Sequence, residues 1–144
     1  MKYFKWKIHE KLQSNEDNLF EKAERDWEKA NLEYDIHLNK NHILNTYKSI
    51  NFHDYELNKI KYSDQKLYLM LKNRNNKFVF EYDLLSFNIF KNEISKDYPK
   101  TQSNNLGTIL ISEFLYENHL HNNILFDNGL ELNVGFKELK ILHL

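Results

Sequence analysis

The sequence predicts an α+β protein, a long amphipathic helix packed on a mainly antiparallel sheet of about six to eight strands. Three observations carry this. Apolar residues recur every three or four positions over residues 15–40, they alternate with polar ones every second position from residue 54 onward, and turn-forming residues punctuate the second region at short intervals. At 144 residues the chain fits one domain, helical over 1–50 and β-rich over 51–144. A domain of this size buries roughly 68–70% of the surface exposed by its unfolded chain. Aromatic side chains make up 15% of it, so a few large rings supply much of that burial.

In the helical region Phe20, Ala23, Trp27, Ala30, Tyr34 and Leu38 fall on one face. Ser14, three residues before Asp17, resembles a capping box, and Ser14 or Asn15 is expected to start the helix. Ile43, Leu44, Tyr47 and Ile50 suit a short second helix. If Trp27 is buried where the long helix meets the sheet, its replacement by alanine should cost about 3–5 kcal/mol.

In the β-rich region Leu67, Leu69 and Leu71 face one side of a strand, and Lys66, Tyr68, Met70 and Lys72 the other. Asn73–Lys77 is a turn leading to Phe78, Phe80 and Tyr82, and Leu84–Phe90 reads as the next run of the meander. Ser95–Asn105, around the only proline, is expected to be a loop. Strands follow at Thr108–Tyr116 and Asn123–Phe126. The turn Asp127-Asn128-Gly129 then feeds Leu130, Leu132, Val134 and Phe136, with Leu139, Ile141 and His143 ending the sheet.

Composition removes several function classes. Twenty basic and 21 acidic residues give a net charge of -1, so no overall field attracts nucleic acid or an anionic membrane. With two arginines, Arg25 and Arg74, bidentate phosphate recognition is scarce. The absence of cysteine excludes disulfides, thiolate metal sites and cysteine nucleophiles. Residues 1–9 have no apolar run of signal-peptide length and no segment approaches a membrane span, so a cytoplasmic location is expected. Three glycines cannot build a Walker loop or a dinucleotide fingerprint, and no serine sits in a nucleophile elbow. No catalytic residue and no cofactor is therefore expected.

Four constellations invite a functional reading. Asp17, Glu21, Glu24, Glu28 and Asp35 form an acidic stripe on the long helix that suits a basic protein partner; the bland alternative pairs Glu21 with Arg25, Lys22 with Asp26 and Lys29 with Glu33. His53-Asp54 offers an imidazole beside a carboxylate, for a metal-dependent hydrolase, or simply a turn with the histidine bonded to backbone. His119 and His121, with Glu117, have strand spacing for a metal site, against a solvated loop. Lys59, Lys61, Tyr62, Lys66, Tyr68 and Lys72 imitate a stacking surface for single strands, but also the solvent face of any half-buried sheet, and nucleic-acid binding is not expected.

Met1-Lys2-Tyr3-Phe4, the Trp-bearing acidic helix, Phe52-His53-Asp54, Leu115-Tyr116-Glu117, Leu130-Glu131-Leu132 and Glu138-Leu139-Lys140-Ile141 together resemble a family of small bacterial cytosolic proteins that carry a domain of unknown function. The His-Asp pair opening a β-meander is also similar to some bacterial immunity proteins, which neutralise toxins. The likeness suggests an immunity role; with the small size, the missing catalytic motifs and the acidic stripe it leads to the expectation of a non-enzymatic, antitoxin-like protein that occludes a partner with the acidic helix face or the outer face of the sheet. A separate expectation is a homo-oligomer paired through an open strand edge. The likenesses carry over no catalytic residue.

Overall fold

A computed structural model describes residues 1–14, 16–96, 98 and 106–144. Three helices precede six strands: α1 (Trp6–Leu12), α2 (Asp17–Lys40), α3 (His42–Asn45), β1 (Glu56–Ser63), β2 (Lys66–Lys72), β3 (Lys77–Lys91), β4 (Ile109–Glu117), β5 (His119–Phe126) and β6 (Leu130–His143). The predicted α+β class holds. The strands form one antiparallel sheet in the order β1-β2-β3-β6-β5-β4.

The strands β3 and β6 are a long shared ribbon. Residues 77–83 of β3 lie between β2 and the C-terminal part of β6, whereas residues 86–91 pair only with the N-terminal part of β6, which in turn carries β5. Leu84–Phe90, expected as a separate run, is thus a continuation of β3 beyond a register shift between Asp83 and Ser86. An extra residue at such a bulge bends the strand and breaks alternation, which is why one strand reads as two. The bend lets the sheet curl until its outer edges meet: Glu56 bridges Thr108, with Asp54 N–H donating to Ile109 O (2.9 Å) and Ile109 N–H to Tyr55 O (2.8 Å).

Curling gathers the inward-facing residues of all six strands into one core. Leu57, Leu67, Leu69, Leu71, Phe80, Tyr82, Ile109, Phe114, Ile124, Phe126, Leu132, Val134 and Phe136 belong to it, joined by Leu38 and Leu44 from the helices. The expected alternation along β2 is present, with Leu67, Leu69 and Leu71 buried. One polar pair sits inside: Asn122 Nδ2 donates to the Tyr82 hydroxyl at 2.7 Å, while Asn122 Oδ1 has no partner.

The segment before α1 crosses the outside of β4, β5 and β6. The Glu113 carboxylate, fully buried, accepts the backbone N–H groups of Lys2 (2.8 Å), Tyr3 (2.6 Å) and Phe4 (2.7 Å). The Met1 amine lies 2.9 Å from Glu131 Oε2. Trp6 Nε1 donates to Glu93 O. The short helix α1 has only Trp6 and His9 as buried residues, too few to reveal it by period.

Helix α2 packs on the sheet through its C-terminal half and along the rim of β4. Leu38 enters the core, and the Tyr34 hydroxyl accepts the N–H of Phe114 at 2.6 Å. That N–H would otherwise be an open donor at the strand edge. Ala23 and Ala30 are buried as the period predicts, but Phe20 is exposed, because α2 begins beyond the sheet. The N-cap is Glu16 with no side-chain cap; Ser14 Oγ accepts Glu16 N–H instead of closing a capping box, and Asn15 lies outside the described residues. Asn41 caps α3 by accepting Ile43 N–H. Most of the expected loop around Pro99 also lies outside the described residues.

Trp27 is half-buried, its ring 5.1 Å from Phe4. Its replacement by alanine is therefore expected to cost about 2 kcal/mol, less than a fully enclosed ring would. Urea denaturation measures this; an unchanged midpoint would mean that the contact does not hold α2.

Candidate functional site

On α2 the acidic stripe runs beside the buried seam. At 100° per residue, Ala23, Trp27, Ala30 and Tyr34 project toward the protein, which sets Asp17, Glu21, Glu24, Glu28 and Asp35 roughly a quarter to a third of a turn away on the flank of the rod. All five are exposed. Leu32 and Ile36 project nearly opposite the seam, beyond the acids, and remain 66% and 53% exposed. Two branched aliphatic side chains four residues apart on one exposed helix face form a small apolar patch suited to contact. Of the three four-residue pairs expected along α2, Lys29–Glu33 forms, at 3.8 Å; among the described residues no ion pair engages any member of the stripe. The acidic stripe thus borders one side of a small apolar pair, with Arg25 and Lys29 on the same outward face.

Beside this face a cleft of about 400 Å³ separates α2 from the rim of β4. Phe4, Trp27 and Tyr34 supply its aromatic wall, Asp35 and His53 its polar mouth, and Leu110–Ser112 its floor. Two of the sequence candidates, Asp35 and His53, therefore share one opening. Burial pushes the Tyr34 hydroxyl well above the ordinary tyrosine range, so it remains a neutral acceptor for Phe114 N–H.

His53 and Asp54 are both exposed at the junction entering β1. His53 Nδ1 is 2.7 Å from Leu110 O, and its Nε2 is 3.3 Å from Asp54 Oδ1. Asp54 has φ 68, the left-handed conformation that aspartate tolerates in turns. The histidine ties the turn to β4, leaving its second nitrogen beside a carboxylate.

His119 and His121 stand side by side on the outer surface of β5 with ring centres 4.2 Å apart. The carboxylate of Glu117 pairs with Lys2 at 3.6 Å, and its carbonyl faces His121 Nε2 at 3.3 Å. His119 Nε2 is buried without a partner against Gly135, where an added Cβ would stand 2.7 Å away. Among the described residues no group of three or more His, Asp or Glu is placed to hold a metal ion.

The lysines of β1 and β2 lie on the outer face with acids interleaved across the sheet. Lys66 pairs with Glu81 at 3.6 Å, and Asp83, Glu138 and Lys140 adjoin them. This mixed lattice differs from a continuous basic groove. No described helix is long and apolar enough to cross a membrane.

Sequence reasoning missed His9, on the buried side of α1 with Nε2 2.9 Å from the Tyr98 hydroxyl. Burial lowers the His9 pKa below its ordinary 6.5, against opposing pulls from Asp127 and Glu10. Burial likewise pushes Tyr98 up to about 12 and lowers His37. The folded chain thus keeps both histidines neutral where the unfolded chain has begun to bind protons. Their contribution is complete above about pH 6.5 and is lost as pH falls through the lowered folded values. The melting temperature is expected to drop between about pH 7 and pH 5. His9→Asn should flatten that decline, and a variant with the wild-type slope would refute the assignment.

Comparison with protein-family models finds no match to this chain, and comparison with curated proteins finds no relative.

Proposed function

We propose that this is a non-enzymatic protein-binding protein of the bacterial cytoplasm, an immunity or antitoxin-like inhibitor that occludes a basic partner with the outer face of α2. The observation that carries the reading is the combination on the exposed surface of α2: Leu32 and Ile36 open to solvent beside the stripe of Asp17, Glu21, Glu24, Glu28 and Asp35. Such a surface has the composition of a contact patch, with apolar anchors that gain from burial and a charged rim that steers a partner of opposite sign. The likeness of its His-Asp junction to immunity proteins points the same way. Trp27 and Tyr34, at the neighbouring cleft, are positioned to receive a projecting side chain from the partner.

The test is co-expression and co-purification with the product of the adjacent gene. A stable complex is expected, which protects cells from that product. The variant Leu32→Lys/Ile36→Lys should abolish both while leaving the melting temperature unchanged. Failure of that product either to harm cells alone or to co-purify would refute the proposal, as would a complex indifferent to the double substitution.

A further inference from the structure

We propose that residues 85–91 of β3 are a self-pairing edge through which two copies of this chain join their sheets as an antiparallel, two-fold dimer. Leu84 N–H still donates to Gln65 O, just before β2; beyond it this stretch has no ladder partner on the β2 side, and its ladder bonds run to β6 alone. Asn92 N–H donates to Gly129 O, on the β6 side. Alternation along an antiparallel strand therefore directs the backbone groups of Ser86, Asn88 and Phe90 to β6, and those of Phe87, Ile89 and Lys91 away from it. The outward groups form a row of donors and acceptors at the rim of the molecule.

The side chains distinguish this edge from the others. Seven consecutive residues, Leu84-Leu85-Ser86-Phe87-Asn88-Ile89-Phe90, carry no charge. Ile89 and Phe90 are 59% and 54% exposed. The free part of β1 bears Lys59 and Lys61, and the free part of β6 bears Lys137, Glu138 and Lys140, charges that blunt edge-to-edge association. On β4 the Phe114 N–H is already taken by Tyr34. Among the described strand edges, the uncharged one is that of β3.

A second copy suits this edge because the sequence is complementary to itself when reversed. With the two-fold axis at Asn88, Phe87 of each copy stands opposite Ile89 of the other, and these are the residues whose backbone groups point outward. Phe90 then opposes Ser86, and Lys91 opposes Leu85, so the two lysines sit at opposite ends of the joint. Aromatic residues paired with β-branched ones across strands are among the favourable combinations. A contact of this size is expected to be modest in strength, with a dissociation constant of about micromolar order.

Light scattering during gel filtration of the wild-type chain at roughly 100 μM should report twice the 17.6 kDa monomer mass. Ile89→Lys, which places two ammonium groups in the joint, should return it to the monomer with an unchanged circular dichroism spectrum. Asn88→Cys provides a second arm that does not depend on that variant folding. The chain has no native cysteine, and directly opposed residues of a non-hydrogen-bonded pair have Cα atoms about 4.5 Å apart, within disulfide reach. Mild oxidation should therefore give covalent dimers from Asn88→Cys and none from Lys61→Cys on β1. A wild-type monomer would overturn the proposal and leave the edge to a strand of another protein. A dimer that neither responds to Ile89→Lys nor cross-links through Asn88→Cys would place the interface elsewhere.

Discussion

Replacing Glu113 with alanine is expected to destabilise the protein by about 3–5 kcal/mol, because three backbone N–H groups, that of Phe4 fully buried, lose their acceptor in one step. Lys2, Tyr3 and Phe4 all donate to this carboxylate, and Phe4 is fully enclosed between the strand surface and the rings of Trp27 and Tyr34. A buried carboxylate is costly to desolvate and is tolerated where several donors surround it. Removing it leaves the enclosed Phe4 donor without a partner and the other two with water alone, so the segment is expected to lift off the sheet. Glu113→Gln keeps the shape but substitutes a neutral amide with one acceptor oxygen, and its loss should be smaller. Urea denaturation gives the energies, and hydrogen exchange at the Phe4 amide reports the detachment. If Glu113→Ala kept that amide protected, the carboxylate would not be the anchor.

The Tyr82→Ala substitution is expected to cost about 3–5 kcal/mol, since the ring is fully buried and touches Phe80 and Phe136 within the curled sheet. Its hydroxyl adds a separable contribution. Burial holds that group well above the ordinary tyrosine pKa, so it stays neutral and accepts from Asn122 Nδ2. Tyr82→Phe therefore costs about 1–3 kcal/mol, because Asn122 is left with both its amide nitrogen and its oxygen unpartnered. Combining Tyr82→Phe with Asn122→Leu removes the whole polar pair and should recover much of that loss. A double variant as unstable as the sum of its parts would show that the two side chains are not coupled.

The residues that were legible in the sequence are those whose period matches their burial. Leu67, Leu69 and Leu71 alternate without interruption in a strand flanked on both sides, and Ala23, Ala30 and Leu38 keep helical spacing. Asp127-Asn128-Gly129 announces its turn, with Gly129 at φ 83, a conformation that glycine adopts without steric cost. What escaped depends on contacts distant in the chain. Glu113 looks like any polar residue of a half-exposed strand, and its donors come from the opposite end of the molecule. The continuity of β3 is hidden by the Leu84-Leu85 doublet at its bend. Of the outward α2 face, the five acids were readable, but Leu32 and Ile36 acquired meaning only when the direction of the buried seam was known. His53 and Asp35 are eighteen residues apart, and the meeting of α2 with β4 brings them to one opening.

The ribbon of β3 and β6 also governs how the chain reaches this state. The hairpins β1–β2 and β4–β5 join neighbours in sequence, whereas the ribbon sets Phe78 opposite His143 and Lys91 opposite Leu130. Each hairpin has its far wall only after that distant zipper has closed, so neither half of the molecule is a self-sufficient folding unit. Non-local pairing of this kind is expected to slow refolding toward the roughly millisecond-to-second range of sheet proteins.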